Sequence, residues 1–168
     1  MLTKVVLPTL VALALVVATA PSTSAAPPDD ACTLVTQAQV SAALGVQVKP
    51  GTYVTPSSKK TCTFELSPSP TKDIRSLTIS LWDASGYQIG KQVMAAAAAK
   101  EGKDPSQAAG SVGGMGDDAY YTSMGDSYTA LMVKKGNTVL KVAIYGELPV
   151  EKKKSVEKAL ALQALSKM

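Results

Sequence analysis

Residues 127–145 read SYTALMVKKGNTVLKVAIY. Two β-rich runs, Ser127–Lys134 and Thr138–Tyr145, flank Gly136-Asn137. Both central residues tolerate positive φ, so the pair predicts a two-residue hairpin turn. Leu77-Thr78-Ile79-Ser80-Leu81-Trp82 has the period of two that marks a strand. Thr61–Leu66 predicts another, with Cys62, Phe64 and Leu66 on one face. Val46 and Val48 start a strand, and Asp118-Ala119-Tyr120-Tyr121 leads into one.

Three helices complete the pattern. The first spans 34–44, capped by the Thr33 hydroxyl and closed by Gly45, with Val35, Ala38, Val40, Ala42 and Leu44 as its apolar face. The second spans Gln88–Glu101, with Ile89, Val93 and Ala97 as its inward stripe. Its Ala95–Ala99 run suits a helix lying tightly on a sheet. The third opens at Pro149. Val156, Ala159, Leu160, Ala164 and Leu165 form its stripe, and Glu151, Lys152, Lys153, Lys154, Glu157 and Lys158 its wet face. Pro50-Gly51, Thr55–Lys60, Pro68-Ser69-Pro70 and the Gly-rich 102–118 read as loops. The order is α-β-β-β-α-β-β-β-α. Successive strands joined by short turns predict an α+β domain, an antiparallel sheet with helices packed on it.

The chain's start carries an address. Lys4 precedes an apolar run from Val5 to Ala18, followed by Pro21-Ser22-Thr23-Ser24-Ala25-Ala26. This is the pattern of a secretory signal, cleaved after Ala25. The run is too short to span a bilayer, so no transmembrane segment is expected in the mature protein. The domain plan is a signal over 1–25, a flexible lead over 26–31 and one domain over 32–168. The localisation expected is secreted or periplasmic. Cys32 and Cys62 are the only cysteines. An isolated pair in an oxidising compartment forms a disulfide, and the wide spacing argues against a redox motif.

Of 168 residues, none is His, which removes the usual general base and the commonest metal ligand. Two cysteines exclude a four-thiolate zinc site. A net charge of +4 without a basic stripe argues against nucleic acid. Gly110–Gly116 is a turn rather than a phosphate cradle, because it follows a helix and lacks Gly-Lys-Ser/Thr. Asp117, Asp118 and Asp126 lack calcium-loop spacing and read as turn caps. Ser57-Ser58-Lys59 and Ser166-Lys167 pair serine with lysine only in loop and helix-end contexts. No catalytic residue, metal or cofactor is expected. Lys152, Lys153, Lys154 and Lys158 read as a solvated helix face. Their functional reading is a weak contact with an anionic envelope surface.

Strand parity is the most informative feature. Leu140, Val142 and Ile144 share one face, and Val139, Lys141, Ala143 and Tyr145 the other. Trp82 lies opposite Leu77, Ile79 and Leu81, while Tyr128, Ala130 and Met132 alternate with Leu131 and Val133. Aligned, these give one aliphatic core face. The second face carries Trp82, Tyr128, Lys141 and Tyr145 among small polar residues. That suits a binding surface for a protein or small ligand. The plain alternative is that a helix covers it and the aromatics are core.

Cys32 opens a short helix ending Leu44-Gly45, Cys62 sits in the strand Thr61-Cys62-Thr63-Phe64, and Gly114-Met115-Gly116-Asp117-Asp118-Ala119-Tyr120 precedes a hairpin and a last helix. Over about residues 31–166 this resembles the LpqN-like family of secreted proteins and lipoproteins, mostly actinobacterial and of unknown function. The resemblance implies a PsbP-like fold. The lipidated cysteine is missing here, and where the family usually has Trp just after the second cysteine, this chain has Phe64 two residues on. The family brings no catalytic residues. The functional expectation is a secreted, non-enzymatic binding or interaction module of the cell envelope or medium. The alternatives are a His-free secreted enzyme and an envelope structural or accessory protein.

Overall fold

The computed structural model describes residues 28–66, 74–102 and 112–168. The signal segment with its cleavage point, Pro68-Ser69-Pro70 and Gly110 lie outside the described residues.

Six strands form one antiparallel sheet in the order β1-β2-β3-β6-β5-β4. They are β1 (Thr52–Thr55), β2 (Ser58–Glu65), β3 (Ile74–Asp83), β4 (Asp118–Ser123), β5 (Tyr128–Lys135) and β6 (Thr138–Gly146). Among the described residues the α-helices are α1 (Gln37–Leu44), α2 (Tyr87–Lys100) and α3 (Val150–Leu165). The architecture is α+β, with the main core on one sheet face.

The hairpin that opens the sequence argument is present, with Lys135 opposite Thr138. Gly136 has φ +58°, and among the described residues no non-glycine residue has positive φ. The turn is therefore of the II′ class, needing glycine only at its first central position. β6 then pairs with β3 from Trp82↔Val139 to Ser76↔Tyr145. Leu77, Ile79, Leu81, Leu131, Val133, Leu140, Val142 and Ile144 are all buried on the face toward α1 and α3.

Several boundaries differ from the sequence reading. Helix α1 starts three residues late, because Thr36 and Gln39 form a reciprocal capping box. Thr33 instead lies in a 3-10 turn, Ala31–Thr33. Gly45 closes the helix at φ +74°, as expected. Val48 forms only an isolated bridge to Leu66, short of a strand. The Thr55–Lys60 loop narrows to the turn Pro56-Ser57, since Ser58 already pairs with Thr55.

Cys32 and Cys62 are disulfide-bonded, tying the 3-10 turn to β2. Asp30 is tied in beside them. Its carboxylate accepts from the Cys32 amide at 3.0 Å and the Tyr53 hydroxyl at 2.9 Å. Gly51 passes so close that a Cβ would lie 2.6 Å from the Cys62 Sγ.

Helix α2 is rotated from expectation. Ile89 is 66% and Val93 59% exposed, while Tyr87 and Ala98 are buried. Two contacts set the rotation. Tyr87 packs edge-on against Tyr120 at 5.2 Å, and Lys91 pairs with Asp118 at 2.7 Å. Tyr87, Tyr120, Met132 and Val139 make a small second core, so α2 sits across the sheet from α1 and α3.

Helix α3 holds a larger surprise. Lys153 and Glu157, expected on its wet face, are 0% exposed, whereas Ala159 is exposed. The buried stripe is Lys153, Val156, Glu157, Leu160, Ala161 and Ala164. Each charge finds a polar partner there. The Lys153 ammonium donates to the Asp126 carbonyl, and Glu157 accepts from Thr129 Oγ1 at 2.6 Å. No helix among the described residues is long and apolar enough to cross a membrane.

Candidate functional site

Ser76, Thr78, Ser80 and Trp82 alternate along β3 and share a face with Tyr145, Ala143, Lys141 and Val139 of β6 through the strand register. Tyr128, Ala130 and Met132 of β5 extend it, opposite Tyr145, Ala143 and Lys141. Thr61 and Thr63 of β2 extend it the other way, opposite Ser80 and Thr78. Alternation puts every one of these side chains away from the aliphatic core.

The four residues singled out from the sequence are together. The Lys141 ammonium lies 5.1 Å from the Trp82 ring centre and 5.6 Å from that of Tyr128. Tyr128 and Tyr145 are a direct cross-strand pair, ring centres 4.9 Å apart. Trp82 is 52% and Tyr145 37% exposed. Helix α2 covers only the end of this face formed by Tyr120, Met132 and Val139. The plain alternative thus holds for those three and not for Trp82 or Tyr145.

Burial pulls the Lys141 pKa below the ordinary lysine value. No opposing acid restores it: Lys141 makes no ion pair among the described residues. Burial is also the main cause that raises the Tyr128 hydroxyl, with Tyr145 and Glu157 adding to it. Two hollows border the strip. One of about 360 Å³ lies against Trp82 and is lined by Lys60, Asp83, Asn137 and Thr138. The other, about 190 Å³, lies against Tyr128 and Tyr145 beside Arg75 and Glu147. A roomier hollow of about 630 Å³ sits elsewhere, between Met94, Ala98, Met124 and Val150.

The remaining sequence candidates are engaged in structure. Gly114 and Gly116 have positive φ, and a Cβ on Gly116 would collide with the Lys134 carbonyl. Asp117 accepts from the Gly136 amide at 2.7 Å, so the turn pins the start of β4 to the β5–β6 hairpin. Asp118 pairs with Lys91. Lys59 faces Asp30 at 3.7 Å, and Lys167 donates to the Thr33 carbonyl at 2.8 Å, so neither is bonded to its neighbouring serine. The lysine cluster divides. Lys153 is buried, Lys154 donates to Glu151, and Lys152 and Lys158 are exposed.

Sequence reasoning missed the buried Lys153 and Glu157. Burial is the largest influence on Glu157 and pushes its carboxyl up to about 7, while Thr129 and Lys153 pull it back only in part. Its Oε2 has no hydrogen-bond partner. The spacing Val156, Leu160, Ala164, continued one turn back, lands between Lys152 and Lys153, which is the signal that was there to be read. No family model, curated protein or solved structure matches this chain.

Proposed function

We propose that this protein is an exported, non-enzymatic binding module whose contact surface is the face carrying Trp82, Tyr128, Lys141 and Tyr145. One observation carries the reading. A half-exposed tryptophan stands beside a lysine that is pulled out of water without an acidic partner. A fold that needed neither group would gain by replacing the lysine, because an uncompensated desolvated charge costs free energy. Perturbed groups of this kind gather at functional sites. Export is supported by the composition of residues 1–25 and by the disulfide. Kinship with the LpqN-like family and a PsbP-like label are supported by the two cysteines, the Gly-x-Gly-Asp turn and the antiparallel sheet. The His-free enzyme has less behind it. The most perturbed carboxyl among the described residues, Glu157, is sealed between α3 and the sheet, where no substrate reaches it.

The test compares immobilised wild-type protein with Trp82→Ala and Tyr145→Ala after exposure to envelope extract. A component held by wild type should be lost roughly thirtyfold by a variant with unchanged melting, the usual cost of a central aromatic. Equal retention by all three overturns the surface assignment. Steady substrate turnover, abolished by one polar substitution, overturns the binding-only reading.

A further inference from the structure

Resting on that binding-face reading, we propose that the face takes an acidic oligosaccharide, with sugar rings against Trp82 and the Tyr128–Tyr145 pair and a carboxylate on Lys141. The charge comes first. Lys141 sits mid-strand between two aromatic rings, with its ammonium 5.1 and 5.6 Å from their centres. Two of the nearby acids are engaged elsewhere, while Glu147 stands at the Tyr128–Tyr145 end. Glu65 pairs with Lys49 at 2.9 Å, and Asp83 accepts from the Ser85 amide and the Asn137 side chain. Arg75 and Glu147 both border the hollow at the Tyr128–Tyr145 end, so Lys141 is the cation that carries the site. An incoming anion therefore finds a cation already partly stripped of water, and a charge-assisted contact there is about twice as strong as a neutral one.

The floor of the strip separates a sugar from a protein partner. Thr61, Thr63, Ser76 and Thr78 line it, with Ser80 buried beneath and accepting from the Thr61 hydroxyl at 3.2 Å. Each hydroxyl both donates and accepts, which matches the hydroxyls of a glycan. The centre of a protein interface is apolar instead. Among the described residues of β3, β5 and β6, the large apolar side chains that are exposed are aromatic, Trp82 and Tyr145. Flat rings receive the C–H face of a pyranose while the strand hydroxyls receive its edge. From Ser76 to Trp82 the strip runs roughly 20 Å along β3, long enough for several sugar units in a row.

Trp82 is the single tryptophan, so its emission reports the site directly. The probe is tetragalacturonate, compared with its neutral methyl ester and with a hexaglutamate peptide. Tetragalacturonate should give a saturable emission change at low salt. The ester and the Lys141→Gln variant should each bind at least roughly tenfold more weakly, the size of one charge-assisted contact. Lys141→Arg, which keeps the charge, should retain most of the affinity and shows that the strand tolerates substitution. The inference is overturned if the ester binds as well as the acid, if Lys141→Gln binds unchanged, if hexaglutamate binds in place of the sugar, or if no probe binds. Envelope material still retained through Trp82 in those cases leaves the binding module standing, whereas its loss as well removes both.

Discussion

At the scale of single residues, Glu157 is the most consequential side chain outside the sheet face. Its carboxyl is fully buried, holds one hydrogen bond from Thr129, and titrates near 7 instead of near 4.5. A carboxyl raised on folding binds its proton more tightly in the native state. Its stabilising effect is complete below about pH 4.5 and disappears as pH rises through 7. The whole swing is on the order of 3 kcal/mol. The chain has no histidine, so no side chain of ordinary pKa titrates across that window. Urea unfolding should therefore show a midpoint that falls between pH 5 and 8. In Glu157→Gln, whose amide oxygen still accepts from Thr129, that fall should flatten, leaving the variant the more stable at pH 8. An unchanged slope in Glu157→Gln would assign the titration elsewhere. Lys153 modifies the same site. Its own pKa is lowered by burial and raised in part by Glu157 and Asp126.

At the scale of elements, the disulfide and the strands behave differently from the helices. The Cys32–Cys62 bond closes a loop of 30 residues, worth about 3–4 kcal/mol in the chain-entropy account. It holds the 3-10 turn against β2 at the β1 edge, away from the β3–β6 centre. Replacing both cysteines by serine should cost about that much in urea unfolding. Hydrogen exchange should quicken first in β1 and β2 and last in β3 and β6, and uniform quickening would contradict a local role. The strands were legible because period two forces every second residue onto one face. Leu77, Ile79 and Leu81 could then be separated from Trp82, and Leu140, Val142 and Ile144 from Lys141, without any coordinates. The helices were less legible. An alanine-rich helix has no dominant stripe, so the rotation of α2 was decided by Tyr87 meeting Tyr120 and Lys91 meeting Asp118. Those partners lie some thirty residues away in sequence, beyond any local period. In α3 the charge of Lys153 and Glu157 masked their place on the buried stripe. Hydropathy records the cost of burying a charge but not the carbonyl and hydroxyl waiting to receive it.

At the scale of the whole molecule, the strand order β1-β2-β3-β6-β5-β4 divides the sheet at one seam. Everything before α2 ends builds β1, β2 and β3, and everything after builds β4, β5 and β6. The disulfide lies wholly in the first part. Trp82 belongs to the first part, and Lys141, Tyr128 and Tyr145 to the second. The candidate face is thus a joint property, created only where β3 meets β6. A chain severed after Gly102 would yield two pieces that each contain three strands and expose an unpaired central edge. Mixing them should restore the 5.1 Å approach of Lys141 to Trp82, visible as a change in tryptophan emission. Any ligand of the face binds only the rejoined pair, so by mass action it should tighten the pairing in proportion to its own occupancy. A severed chain would therefore act as a two-part sensor: the same β3–β6 junction that completes the sheet is a logical AND, and fragment reassociation becomes a readout of ligand.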